Sequence, residues 1–243
     1  MRLRLTLEYD GTGFRGWAAQ PGLRTVEGEL RAALTRTFPS WNGLAVAGRT
    51  DTGVHALGQV ANVDVEGGPP PARAADALNA VLPDDVAVVA AAVAAPDFHA
   101  RHSARGRSYR YRIFRRRTPS PFEHRRSWWF PHLLDVDRLG RQAAQLRGEH
   151  DFRAFTPTET QHEVFLRVVE RASWHERGDH LDFEITADSY LRHMVRTLVG
   201  TMIDGVDLGP LLGGGTRPDA GRTAPPWGLY LVGIDYGDAA DSI

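Results

Sequence analysis

Apolar and polar residues alternate from the start of the chain. Leu3, Leu5, Leu7 and Tyr9 fall on one side of an extended segment, and Arg2, Arg4, Thr6 and Glu8 on the other. Period 2 of this kind predicts a half-buried strand over Arg2 to Tyr9. The period then lengthens: Val26, Leu30, Ala33 and Leu34 make a helical stripe, with Thr25 in place to cap it. Strands are predicted at Leu44 to Ala47, Gln59 to Val65 and Val86 to Val93, and a short helix at Ala72 to Asn79. The order is β-α-β-β-α-β.

The same order returns. Arg107 to Arg116 reads as a strand and Val136 to Leu146 as a helix begun by Asp135. Phe165 to Trp174 and His180 to Ala187 read as a hairpin across Arg177, Gly178 and Asp179. Ser189 to Ile203 is predicted helical, capped by Asp188 or Ser189, and Leu229 to Tyr236 is a final strand. Gly and Pro make 205–227 an irregular connection. Two successive split βαβ units predict an α+β protein of two ferredoxin-like halves, residues 1–105 and 106–243, with their sheets joined edge to edge around a central cleft.

Composition narrows the chemistry. With 243 residues, 42% hydrophobic and 24% charged, the chain has ample material for a globular core. It has no cysteine, which excludes disulfides, thiolate nucleophiles and Cys-based zinc sites and fits a cytoplasmic location. Alternation from Arg2 argues against a signal peptide, and the apolar run Val86 to Ala95 is too short to span a bilayer. A net charge of −1 is a poor first sign of nucleic-acid binding, so its distribution matters more. All 29 basic residues are arginine, and eight lie between Arg101 and Arg117, with Arg125 and Arg126 behind them. Acids gather later, at Asp204, Asp207, Asp235, Asp238 and Asp241. A solvated strand face explains such a run. So does a track of phosphate forks, interleaved here with Tyr109 and Tyr111.

One loop carries candidate catalysis. Ala47 to Val63 reads AGRTDTGVHALGQVANV, with the single carboxylate Asp51 set between Gly48 and Gly53, Arg49 two residues before it and His55 four after. An arginine beside the acid favours its ionised form, and glycines let the backbone approach a ligand closely. Most such loops are plain surface turns. Gly11 to Gly16 matches G-x-G-x-x-G, but Ala18 to Gly22 breaks the chain where a helix should open, so dinucleotide binding fails on context. The ten histidines form no metal set, and HExxH and CxxC are absent. No second carboxylate is placed for glycosidic hydrolysis.

AGRTDTGVHALGQV resembles the catalytic motif of the tRNA pseudouridine synthase A family. Other similar strings follow in family order: LEYDGTGFRGW, NAVLPDDV, DFHARHSARGRSYRYRI, HDFRAF, YLRHMVRTLVG and GLYLVGIDY. The resemblance runs nearly end to end. It implies the pseudouridine synthase fold, a cofactor-free and metal-free isomerase, tRNA as substrate at positions 38 to 40 of the anticodon stem-loop, and a homodimer. It makes Asp51 the catalytic acid, Arg196 its salt-bridge partner and Tyr109 the ring that stacks on a flipped uracil, with Tyr111 as the alternative. Arg49, Arg101, Arg107 and Leu231 become substrate-binding candidates. Crowding of Trp128, Trp129 and Phe130 beside Arg125 and Arg126 adds a sign of an interface.

Two other classes remain to be separated from this reading. A non-catalytic RNA-binding protein would use the arginines and Tyr109 but has no need of Asp51, which repels phosphate. An N-glycosidase would break the same bond and release the base.

Overall fold

The opening alternation forms strand β1, Arg2–Tyr9, with Leu3, Leu5 and Leu7 fully buried. Each buried leucine contributes roughly 1.5–3 kcal/mol relative to exposure. This computed structural model describes residues 1–160 and 162–237, so Asp238 and Asp241 lie outside the described residues. The chain divides into two units. Met1–Arg105 and the stretch from Leu231 form the first, and Gly106–Tyr230 the second.

The first unit continues with α1 (Val26–Thr37), β2 (Ser40–Val46), β3 (His55–Glu66), α2 (Pro71–Asn79) and β4 (Val86–Val93). Thr25 caps α1 as predicted, its hydroxyl oxygen accepting from the Gly28 amide at 3.2 Å. β1 lies antiparallel between β3 and β4, with Leu5 opposite Ala61 on one side and Ala91 on the other, and β2 also pairs with β3. Leu30 and Leu34 of α1 and Leu78 of α2 are fully buried, which fixes the apolar stripes of both helices inward.

The second unit holds β5 (Gly106–Phe114), β6 (Trp128–Trp129), α3 (Val136–Gln145), β7 (Gly148–Asp151), β8 (Leu166–Arg177), β9 (His180–Ala187), α4 (Met194–Asp204) and α5 (Gly209–Leu212). Its strands run β5-β9-β8-β7, with β6 parallel to β5. Tyr109 stands opposite Ile185, and Tyr111 opposite Phe183. Asp135 caps α3 by accepting from the Arg138 amide at 2.8 Å.

Two expectations change. The final strand β10, Leu229–Asp235, was expected in the second half; from Leu231 the chain belongs to the first unit, beside β3. Alternation identifies a strand but not the edge it joins. There Gly58 lets the Val232 carbonyl come close, since an added Cβ would overlap that oxygen. The helix predicted from Ser189 starts only at Met194. The Asp188 carboxylate accepts from the amides of Ser189 at 2.6 Å and Val168 at 3.2 Å, so the sheet holds this stretch. His193 then sits in the left-handed region at φ 63° as the helix opens.

Candidate active site

The Asp51 loop is held by its neighbours in the first unit. The Trp17 amide donates to the Thr50 carbonyl at 3.0 Å, and the Val54 amide closes the turn onto the Asp51 carbonyl at 3.1 Å. Gln59 donates to the Gly48 carbonyl at 2.7 Å and to the Tyr9 phenol oxygen at 3.3 Å. Tyr9 and Thr50 share a hydroxyl–hydroxyl bond of 2.8 Å. Burial pushes the Tyr9 phenol up to about 12, so it stays a donor across the neutral range. The Tyr9 phenol oxygen accepts from Gln59 and is also bonded to the Thr50 hydroxyl, so it joins the two.

The Gly11–Gly16 loop packs on the same turn. Gly16 has φ +90°, and a Cβ there would lie 2.9 Å from the Thr50 carbonyl oxygen. Buried His55 accepts the Gly11 amide on Nδ1 at 3.0 Å, tying the two loops together. The G-x-G-x-x-G string is therefore a close-packing device for the acid's loop. Asp51 itself is half-buried and Arg49 exposed.

In the second unit Tyr109 is half-buried, whereas Tyr111 is 0% exposed and donates its hydroxyl to the Pro225 carbonyl at 2.8 Å. Burial holds the Tyr111 phenol well above its ordinary value, partly offset by the Arg196 charge. Tyr111 is thus a core residue, and of the two rings Tyr109 is the one with exposed surface. Met194 to Ile203 of α4 are buried except for half-buried Arg196. The Arg196 Nε donates to the Ala224 carbonyl at 2.8 Å, and the Ala224 amide returns a bond of 3.0 Å to the Arg196 carbonyl. The guanidinium is therefore set by a fixed backbone. Gly200, one turn on, admits the Arg222 carbonyl where a Cβ would overlap it.

The arginine run does not form one track. Strand alternation places Arg110 and Arg112 on the face opposite Tyr109. There Arg110 pairs with Glu184 at 3.0 Å, and Arg112 lies 3.7 Å from Glu123. Arg115 pairs with Glu176 at 2.6 Å. Arg107 shares the Tyr109 face and donates to the Asp188 carbonyl at 2.7 Å. Arg101, Arg105, Arg116 and Arg117 are exposed. Leu231 is 0% exposed and offers no accessible surface to a base. Trp128 packs edge-on against Tyr111 at 6.3 Å, while Trp129 is 43% exposed.

Sequence reasoning passed over Tyr9, Thr50 and Gln59. Gln59 carried a weak signal: it is a polar residue just before the largely apolar run Val60 to Val65, and the fold buries it fully. Tyr9→Phe and Gln59→Ala should each lower unfolding free energy by about 1–3 kcal/mol, because each leaves a buried polar group unpaired. In urea denaturation the double variant should lose less than the sum, since both changes meet at one phenol oxygen. Strict additivity, or no loss, would show that the chain of bonds does not hold the loop.

Comparison with known proteins bears on what this arrangement is for. A family model described as tRNA pseudouridine synthase matches residues 6–103 and 142–237. The chain is 41% identical over 243 residues to tRNA pseudouridine synthase A of Moorella thermoacetica, covering 96% of this chain and 99% of that protein. It is 44% identical to the protein of that name from Rhodopseudomonas palustris and 40% identical to that of Bacillus subtilis, each over 97% of this chain and 99% of the relative. The crystal structure of a Cbf5-Nop10-Gar1 complex aligns with a TM-score of 0.39 at 13% identity, covering 94% of this chain and 48% of that one, too low for an argument from shape. Family match and near-complete coverage together establish that the chain belongs to the tRNA pseudouridine synthases, isomerases that convert uridine to pseudouridine in tRNA.

Proposed function

We propose that this enzyme acts on uridines 38 to 40 of the tRNA anticodon stem-loop, with Asp51 as the catalytic carboxylate. The observation that carries the reading is the Asp51 loop. Its backbone is bonded at Gly48 and Thr50 to buried Gln59 and Trp17 and closed on itself by the Val54 amide, so one half-buried acid is presented in a set geometry. The uridine leaves its stack at a cost of a few kcal/mol. The bond from C1′ to ring N1 breaks, the uracil turns, and C1′ joins C5. The C5 proton departs and N1 regains one, so the product is an isomer. Attack by Asp51 on the sugar or the ring, or proton abstraction at the sugar, all require the ionised carboxylate.

Tyr109 stacks on the uracil and aids loss of the C5 proton. Its half-buried ring, against the fully buried Tyr111, supports that choice. The role carried over to Arg196 is cationic partner of Asp51. The backbone bond at Ala224 limits how that guanidinium can turn, which supports the role. Arg49 fills the vacated stack or holds a phosphate, and Arg101 and Arg107 contact the RNA backbone. The reaction needs no metal or organic cofactor and runs in the cytoplasm.

A tRNA tritiated at C5 of uridine tests the function. Isomerisation releases tritium to water; a glycosidase would release labelled uracil, and a mere binder neither. Asp51→Asn should slow tritium release at least about a thousandfold, as loss of a nucleophile commonly does, while tRNA binding persists. Release at a rate near wild type would end the assignment of Asp51.

The enzyme works as a homodimer with a tRNA contacting both copies. Exposed Trp129 beside Arg125 and Arg126, with Phe122 85% exposed nearby in sequence, supports an interface on this segment. Light scattering at micromolar concentration should give twice the 26.9 kDa chain mass. A mass of one chain would remove the claim.

A further inference from the structure

Tyr190 lies in the stretch that failed to become helix. Its ring meets Tyr109 near-perpendicularly, with centroids 4.9 Å apart and planes at 76°. Its hydroxyl reaches the carbonyls of Arg107 at 3.0 Å and Ile185 at 3.1 Å. Arg107 is two residues before Tyr109 on β5, and Ile185 is the residue facing Tyr109 on β9. One hydroxyl proton is therefore shared between carbonyls of both strands at the level of the Tyr109 rung. Asp188 secures the backbone next to it: its carbonyl accepts from Arg107 and its carboxylate from the Ser189 and Val168 amides.

We infer that Tyr190 is a positioning residue for the isomerisation, a buttress whose ring fixes the plane of Tyr109 against β5 and β9 so that Tyr109 meets the flipped uracil at a set angle. The inference rests on the reading of Tyr109 as the stacking ring. A perpendicular contact occupies at most one face of the Tyr109 ring, a geometry compatible with a base on the opposite face. An edge-to-face pair also resists rotation of either ring, and Tyr109 χ2 is the torsion that sets the stacking plane. The hydroxyl anchor holds the far end of the Tyr190 side chain against both strands and so fixes where its ring points. Burial holds its phenol well above the ordinary value, so it remains a donor wherever the enzyme works.

The test is a kinetic cycle on the full-length enzyme, read as single-turnover tritium release from C5-labelled tRNA at saturating enzyme, with tRNA affinity and melting temperature measured alongside. Tyr190→Leu should slow the rate about three- to tenfold, the range expected for losing one aromatic pair, with affinity unchanged. Tyr190→Phe keeps the ring and should recover at least half the rate. Tyr190→Met, apolar and of similar length, replaces Leu should that variant fail to fold. Tyr109→Leu should nearly abolish release. In that background Tyr190→Leu should add no further loss, because a residue acting through Tyr109 has nothing left to position. Full activity of Tyr109→Leu would defeat the stacking reading itself. An inactive Tyr109→Leu beside a fully active Tyr190→Leu would defeat only the buttress. Equal losses from Tyr190→Leu in both backgrounds would also overturn it, pointing to a general effect on folding.

Discussion

The hydrogen bonds that close the Asp51 loop are the constraint on which the rest of the account depends. A carboxylate on a mobile turn cannot meet a flipped nucleotide at a repeatable distance and angle, and a misplacement of 1 Å can cost a hundredfold in rate. Here the backbone before Asp51 is bonded to Gln59 of the sheet and to the Trp17 amide, and after it the His55 side chain accepts from the Gly11 amide. Tyr9, at the end of β1, and Gln59, inside β3, are nearly or fully buried and direct their polar atoms at that loop. The leucines that bury β1 therefore also fix where Tyr9 ends up, which links the core of the first unit to the position of the acid.

Much of the fold was legible because the periodicities are strong. β1 and β4 match their predicted bounds, and Thr25 and Asp135 cap the helices expected of them. Three features were not legible, for separate reasons. β6 and β7, of two and four residues, are too short to show alternation. The start of α4 is set by tertiary bonds from Asp188 and Tyr190, which outweigh the helical pattern of 189–193. The return of β10 to the first unit depends on pairing, which a single strand's pattern does not encode.

The candidate residues divide in the same way. Asp51, Tyr109 and Arg196 were named by resemblance, and the fold gives each a defined backbone setting. The arginine run was visible in sequence, but its pairing was not. Glu184, Glu123 and Glu176 lie on distant segments: Glu184 and Glu123 engage Arg110 and Arg112 on the sheet face away from Tyr109, and Glu176 engages Arg115 just beyond the end of β5. Partly exposed ion pairs of this kind contribute little stability, about 0–1 kcal/mol each, yet they change which guanidinium groups are available to phosphate. A count of charges along a strand overstates an RNA track wherever the facing strand carries acids.

Amide hydrogen exchange on the free enzyme tests the central claim most directly. Catalysis by a prearranged carboxylate requires the Asp51 loop to be formed before tRNA arrives. The amides of Gly11, Trp17 and Val54 donate to His55 Nδ1 and to the carbonyls of Thr50 and Asp51. They should exchange as slowly as the amides of β1 that pair with β3. Exchange at the rate of an open surface turn, with protection only once tRNA is bound, would contradict a preformed loop and make the substrate the agent that assembles the site.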